Sequence, residues 1–347
     1  MYLQKQRMKY YLNILAFFLF STISQGQSFI FNQFFQPSLR INTIYKHDFN
    51  FLNKDRLHVG QADINCIIPI KSQLKLKVKW DKLLTLKLKK ATKLKVYQLF
   101  WNFRPKVLYL DLQYKDSNEE HPFKKKAHFT YGFSTGFSGI HLIAKPLKQP
   151  KLFFYSVNIG MMEDAQSIQH TPIPTVNAMI GFAHIRNFNF YWYYGFFFSY
   201  NNGQVIPAPF FGIQAKLTKT IWVNITLPVQ VRFAFKVSKK FKVDLSAGLS
   251  NFSTAFGYQN PNNNQWERSV FGDLRVRGAL TANIKLSPQA ILYLETGCYA
   301  YQFPSFRWGA TNFKTPELSP SIYGSLSLYY SFKKSLLGST IDGIILF

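Results

Sequence analysis

Acidic residues are scarce in this chain, and cysteine is almost absent. Its 347 residues hold 16 Asp and Glu against 42 Lys and Arg, a formal net charge of +26. An excess of that size fits an anionic partner such as nucleic acid, phosphate groups or a membrane surface. Lys, Asn, Phe, Ile and Tyr are all abundant, a compositional drift that accounts for part of the lysine and less well for the missing acids. The two cysteines, Cys66 and Cys298, are too few for a disulfide scaffold or a zinc site. A single bridge or two free thiols both fit. Chemistry-bearing motifs are missing too. The seven histidines (His47, His58, His121, His128, His141, His170, His184) contain no i,i+4 pair, no Gly-rich loop precedes a helix, and no G-x-S-x-G elbow occurs. We expect no cofactor, no metal and no enzyme, although a set such as His128, Ser134 and Asp111 is recognised by geometry and not by sequence position.

Long apolar runs are absent as well. Lys5, Arg7 and Lys9 precede an apolar core from Tyr10 to Phe20, followed by Ser24 and Gly26 before a cut. That core is far shorter than the roughly 20 residues of a membrane-spanning helix, and the order is that of a secretory signal. We expect residues 1–26 to be removed and 27–347 to be exported, with 27–38 as an N-terminal periplasmic segment. Export excludes nucleic acid as the partner of the basic charge.

Helical periodicity is missing after the signal, and strict alternation takes its place. The stretch "LKLKVKWDKLLTLKLKK" at 74–90 puts Leu74, Leu76, Val78, Trp80, Leu84, Leu86 and Leu88 on even positions and Lys75, Lys77, Lys79, Lys87 and Lys89 on odd ones. Only an extended strand sends successive side chains to opposite faces. Further along, Ile221, Val223, Ile225, Leu227, Val229, Val231, Phe233 and Phe235 are all odd, with Asn224, Thr226, Gln230 and Arg232 between them. Phe241 to Leu249 continues the odd set, Leu274 to Leu286 forms an even set, and Leu318 to Phe332 alternates with serines. These runs exceed the five or six residues usual in soluble strands and match the about 9 to 11 that a tilted strand needs to cross a bilayer.

Breaks between the runs alternate short and long, the habit of outer-membrane barrels. From the C-terminus they are 303–317 (long), 287–289 (short), 257–268 (long), 237–240 (short), a tight outer turn at Pro228, 218–220 (short), 201–207 (long), 186–187 (short) and 162–174 (long), with 115–126 a further long loop. Aromatic residues make up 18% of the chain and crowd "NFNFYWYYGFFFSY", as membrane interfaces favour. A sheet crosses a bilayer only when it closes and leaves no edge. The fold expected is therefore all-β, an up-and-down antiparallel transmembrane β-barrel of about 12 to 16 strands in the outer membrane of a Gram-negative bacterium.

One parity of such a wall meets lipid and the other meets the lumen. A lysine facing lipid at the midplane costs about 2 to 4 kcal/mol. The basic parity is therefore expected to line the lumen, with Lys75, Lys77, Lys79, Lys87, Lys89, Lys93, Lys95, Arg232, Lys242, Arg275, Arg277 and Lys285 as candidate anion-binding residues. Rings of such cations favour small anions. The leading expectation is a pore or binding site for small anionic solutes, and the alternative is a non-conducting structural or partner-binding barrel of an envelope complex. Its partners would be outer-membrane lipid, lipopolysaccharide and the barrel-insertion machinery.

The segment "GQVIPAPFFGIQAKLTKTIWVNITLPVQVRFAFKVSKKFKVDLSAGLS" (203–250) resembles a family of uncharacterised outer-membrane β-barrel proteins. It shows the same proline-flanked apolar strand, short turn, strand ending in Leu-Pro and further hairpin. The resemblance implies the fold and the location and is silent about activity. Such barrels usually end on an aromatic residue that closes the last strand. Here the best last strand ends at Phe332, so either 341–347 adds a short strand or the insertion signal is internal.

Overall fold

Closure of the sheet is what the alternation requires, because a barrel alone satisfies every strand's backbone without leaving an edge. The computed structural model describes residues 37–48, 55–78, 92–113, 127–145, 148–187, 189–201, 204–260, 263–307 and 317–332. Residues 1–26, 79–91 and 333–347, on which several expectations fall, lie outside them.

The strands are β1 (Ser38–Asp48), β2 (Arg56–Val78), β3 (Thr92–Gln113), β4 (His128–Lys145), β5 (Lys148–Glu163), β6 (Thr175–Asn187), β7 (Phe190–Asn201), β8 (Gln204–Lys216), β9 (Ile221–Leu227), β10 (Gln230–Lys236), β11 (Phe241–Gln259), β12 (Trp266–Lys285), β13 (Ala290–Arg307) and β14 (Ser321–Ser331). One helical turn, α1 (Ala165–His170), interrupts them. Each strand pairs antiparallel with its neighbours in sequence, and β1 pairs with β14, which closes a barrel of 14 strands. The expected up-and-down all-β barrel is what forms. Its even strand count puts the start of β1 and the end of β14 at one end, here called proximal, and the 164–174 segment at the other, distal.

The apolar parities form the outer wall. Phe233, Phe235, Leu245, Leu249, Leu274, Leu280, Leu326 and Leu328 are all exposed large hydrophobics. Their neighbours Asn224, Thr226, Asp244, Ser246, Thr281, Asn283 and Ser327 are buried inside. On β3 the outward row runs Tyr97, Leu99, Trp101, Phe103, Pro105, Val107, Tyr109, bounded by Lys95 and Asp111. From Tyr97 to Tyr109 is about 40 Å of strand, which a tilt of about 45° reduces to about 28 Å, close to the hydrocarbon thickness of a bilayer. Tyrosine at both limits of the row matches the aromatic girdles of membrane barrels.

The predicted tight turn at Pro228 is present. β9 ends at Leu227, β10 starts at Gln230, and the Leu227–Pro228 bond is cis.

Inside, the proximal half beside β2 to β7 is dry. Ile67, Val96, Phe100, Ile140, Leu142, Leu152, Phe154, Tyr191 and Tyr193 pack there as one buried cluster. Gly212 on β8 lets the Tyr193 ring lie flat against its backbone, since a Cβ at that position would overlap the ring. The ring cannot swing aside, because its hydroxyl is bonded to Thr226 Oγ1 at 2.5 Å. Gly212→Val should cost about 1 to 3 kcal/mol by overpacking. A lower denaturant midpoint of the detergent-folded barrel would report it, with Gly324→Val, where nothing lies within 4 Å of the added Cβ, near neutral.

Candidate functional site

The polar half of the interior forms a cavity of about 490 Å3 at the proximal end, walled by β1 to β3 and β8 to β14. Period two explains its chemistry, since the inward parity of β9 to β14 is the polar set of the sequence. Its cations are Arg40, Arg104, Arg232, Lys236, Lys239, Lys240, Lys242, Arg277 and Lys285, while only Asp63 and Glu295 are acidic among the lining residues.

Part of that charge is answered locally. Asp63 accepts from Arg104 Nε at 3.0 Å and from Asn42 Nδ2 at 3.1 Å. Buried Asp244 pairs with Arg232 and lies 3.3 Å from Lys242 Nζ. Arg277 Nη1 reaches Glu295 Oε1 at 3.2 Å. Among the described residues no carboxylate stands within ion-pair distance of Arg40, Lys236, Lys239 or Lys240. Lys236 and Lys242 are direct cross-strand partners, an arrangement that repels unless a counter-ion lies nearby.

The cavity has a floor. Arg275 Nε donates to Asp273 Oδ2 at 2.5 Å, and its guanidinium lies between the rings of Phe252 and Tyr299, 4.4 and 4.8 Å from their centroids. Tyr323 stacks on Tyr299 at 4.5 Å and donates to Glu295 Oε1 at 2.8 Å.

Beyond the floor the distal lumen is filled. Leu57, Val59, Leu108, Leu110, Leu112, Phe256, Phe271 and Leu318 form a buried cluster drawn from β2, β3, β11, β12 and the segment before β14. Non-neighbouring strands also touch across the lumen. Glu163 at the end of β5 makes a parallel bridge to Ala255 of β11, and Asp164 N donates to Ala255 O at 2.9 Å. Glu163 is fully buried, accepting from Arg268 Nη2 at 2.6 Å, Ser167 Oγ at 2.9 Å and Ile173 N at 3.1 Å. Asp164 caps α1 through Ser167 N and also accepts from Gly257 N. The 164–174 segment is thereby pinned across the distal mouth.

Of the residues the sequence singled out, Arg232, Lys242, Arg277 and Lys285 meet in the cavity. Arg275 points inward but is consumed by the floor. Lys79, Lys87 and Lys89 lie outside the described residues. Lys75 and Lys95 require a correction, because they are register partners on the outward row, next to Tyr97 and Leu99, while Val96, Gln98 and Phe100 fill the interior. Lys77 and Lys93 are the following register pair in the same strands. A β-bulge between Pro69 and Lys71 reverses the parity of β2, so odd positions face in at Val59 and Asp63 and out at Lys75. The lipid penalty behind the original expectation applies at mid-bilayer and fades to about 0 to 1 kcal/mol near the interfaces, and Lys95 bounds the outward apolar row, beyond Tyr97.

Sequence reasoning missed Arg40, Arg104, Lys236, Lys239 and Lys240. Arg104 follows an apolar run on both parities, "LFWNF", Lys239 and Lys240 read as part of the turn at 237–240, and Lys236 immediately precedes it. Pairing Arg104 with Asp63 would have needed the register of β2 on β3. The structure does not gather His128, Ser134 and Asp111. His128 meets Phe256 edge-on in the interior, Ser134 lies further along β4 opposite Arg104, and Asp111 is on the outward row. Cys66 and Cys298 are free.

Residues 28–331 match the family described as "Domain of unknown function (DUF6268)". The chain belongs to this family. No curated protein matches it. Among solved structures, this DUF6268 barrel is similar to the translocator domain of the autotransporter NalP from Neisseria meningitidis, at 7% identity over 94% of this chain and 98% of that one, TM-score 0.29. The Pseudomonas putida toluene transporter TodX matches at 8% identity over 90% and 96%, TM-score 0.32. The siderophore receptor PirA from Acinetobacter baumannii matches at 7% over 86% and 80%, TM-score 0.25. At that similarity none of these proteins' cargoes transfers to this DUF6268 member.

Proposed function

We propose that this DUF6268 protein is an outer-membrane β-barrel of a Gram-negative bacterium, exported by the signal at residues 1–26, whose lumen receives small anions from the proximal side without conducting them through. The surplus of cations lining a cavity of about 490 Å3 carries this reading. Each fixed cation lowers the energy of an anion within the cavity and raises that of a cation, and the volume suits a small solute. The outward band of about 28 Å on β3 supports the membrane location. The packed distal cluster and the pinned 164–174 segment favour a receptacle over an open conduit. Lipid, lipopolysaccharide and the insertion machinery are the partners such a location brings.

Titrating the detergent-folded barrel with inorganic pyrophosphate should give saturable, salt-sensitive binding in calorimetry. Lys236→Gln with Lys240→Gln removes two cations that have no acidic partner and should weaken binding about tenfold or more, since a charge-assisted contact is worth about 1.5 to 3 kcal/mol. Binding that is absent, or indifferent to both substitutions, would leave the alternative of a structural barrel that docks a partner protein.

A further inference from the structure

We infer that the outward lysine row of β2, β3 and β5 is a docking surface for anionic phospholipid headgroups in the proximal leaflet. This inference rests on the membrane-spanning reading above and goes beyond the lumen. Lys75 is the cross-strand partner of Lys95, Lys95 of Ile143, and Ile143 of Lys151, so three lysines occupy one hydrogen-bonded row around the wall. Lys75 and Lys151 are exposed and Lys95 half-buried.

The row lies one outward step beyond the tyrosine girdle. Tyr97 sits next to Lys95 on the outer face, its hydroxyl 3.3 Å from that of Tyr155 and its ring edge-on to His141. One outward step is two residues, about 7 Å of strand and about 5 Å of depth at a tilt of about 45°. The headgroup zone occupies about 5 to 8 Å on each side of the hydrocarbon, so Lys95 falls within it, while the row slants by about 3 Å of depth per strand toward Lys75 on one side and Lys151 on the other.

Two observations call for an external anion. Lysines directly opposite one another destabilise a strand pair unless a counter-charge intervenes, and the Lys75 and Lys95 pair is followed in register by Lys77 and Lys93. Among the described residues no carboxylate stands within ion-pair distance of Lys75, Lys95 or Lys151. A phosphodiester between two such lysines removes the repulsion and lets the acyl chains lie along Leu99, Trp101 and Phe103.

The full chain would be folded into vesicles containing equal amounts of photo-crosslinking phosphatidylglycerol and phosphatidylcholine, with adducts mapped by mass spectrometry. Wild type should carry phosphatidylglycerol in preference on peptides spanning 71–113 and 148–160. The preference should fall about fivefold for each lysine removed in Lys75→Gln, Lys95→Gln and Lys151→Gln, and high salt should reduce it. Equal labelling of an inserted wild-type barrel would overturn the proposal, as would a preference unchanged in the triple variant. Displacement of the phosphatidylglycerol signal by soluble polyglutamate would point to an acidic protein partner and also overturn it. A chain that shows no heat-modifiable gel shift in these vesicles has not inserted, and the membrane-spanning reading fails together with this one.

Discussion

Planar bilayers holding the wild-type barrel should stay electrically silent, and a variant carrying Leu108→Ala and Phe271→Ala should pass current with a preference for anions. Leu108 and Phe271 project from β3 and β12 into the same distal cluster and are almost fully buried there. Their truncation removes the apolar fill between the cationic cavity and the distal mouth, while the cations that choose the passing ion are untouched. Each truncation also costs about 2 to 5 kcal/mol of stability, so the gel shift of the folded barrel must accompany the recording. Stable conductance from the wild type would show that the cluster does not seal the lumen. A folded but silent variant would place the seal in the floor on Arg275 or in the segment pinned by Glu163.

That pin should dominate the stability of the distal end. Glu163→Ala leaves the Arg268 guanidinium in the interior without its carboxylate, and breaking a buried pair in this way costs about 3 to 5 kcal/mol. The ion pair spans 2.6 Å, both partners are almost completely buried, and the same carboxylate holds Ser167 and Ile173. A denaturant midpoint of the detergent-folded protein should fall accordingly, and limited proteolysis should begin within 164–174. Combining Glu163→Ala with Arg268→Met should restore much of the loss, because a buried pair replaced by apolar groups is often neutral. If Glu163→Ala alone were neutral, the segment would be held by its other contacts.

Several elements were legible in the chain because their causes are local. The odd apolar set from Ile221 to Phe235 and the even set from Leu274 to Leu286 became outer wall as read, with Arg232, Lys242, Arg277 and Lys285 inside. Pro228 lies in the tight turn expected of it, although Pro105, Pro207 and Pro209 are accommodated within paired strands. Lys75 and Lys95 were read in the right period and assigned to the wrong face. A reader of one strand knows that alternate residues part company, yet not which group is enclosed. The bulge at Pro69 and Lys71 reverses that choice for β2, and it is visible only as a mismatch of register against Phe100 and Leu99.

Period two and the basic excess were set by the sequence alone, because alternation acts between adjacent side chains and needs no distant partner. Tertiary structure decided the number 14, the dry proximal half, the floor built on Arg275 and the bridge from Glu163 to Ala255 and Arg268. Those features join residues far apart in sequence, such as Glu163 and Arg268 on opposite walls, and their free energy appears only when closure brings the two walls together across the lumen.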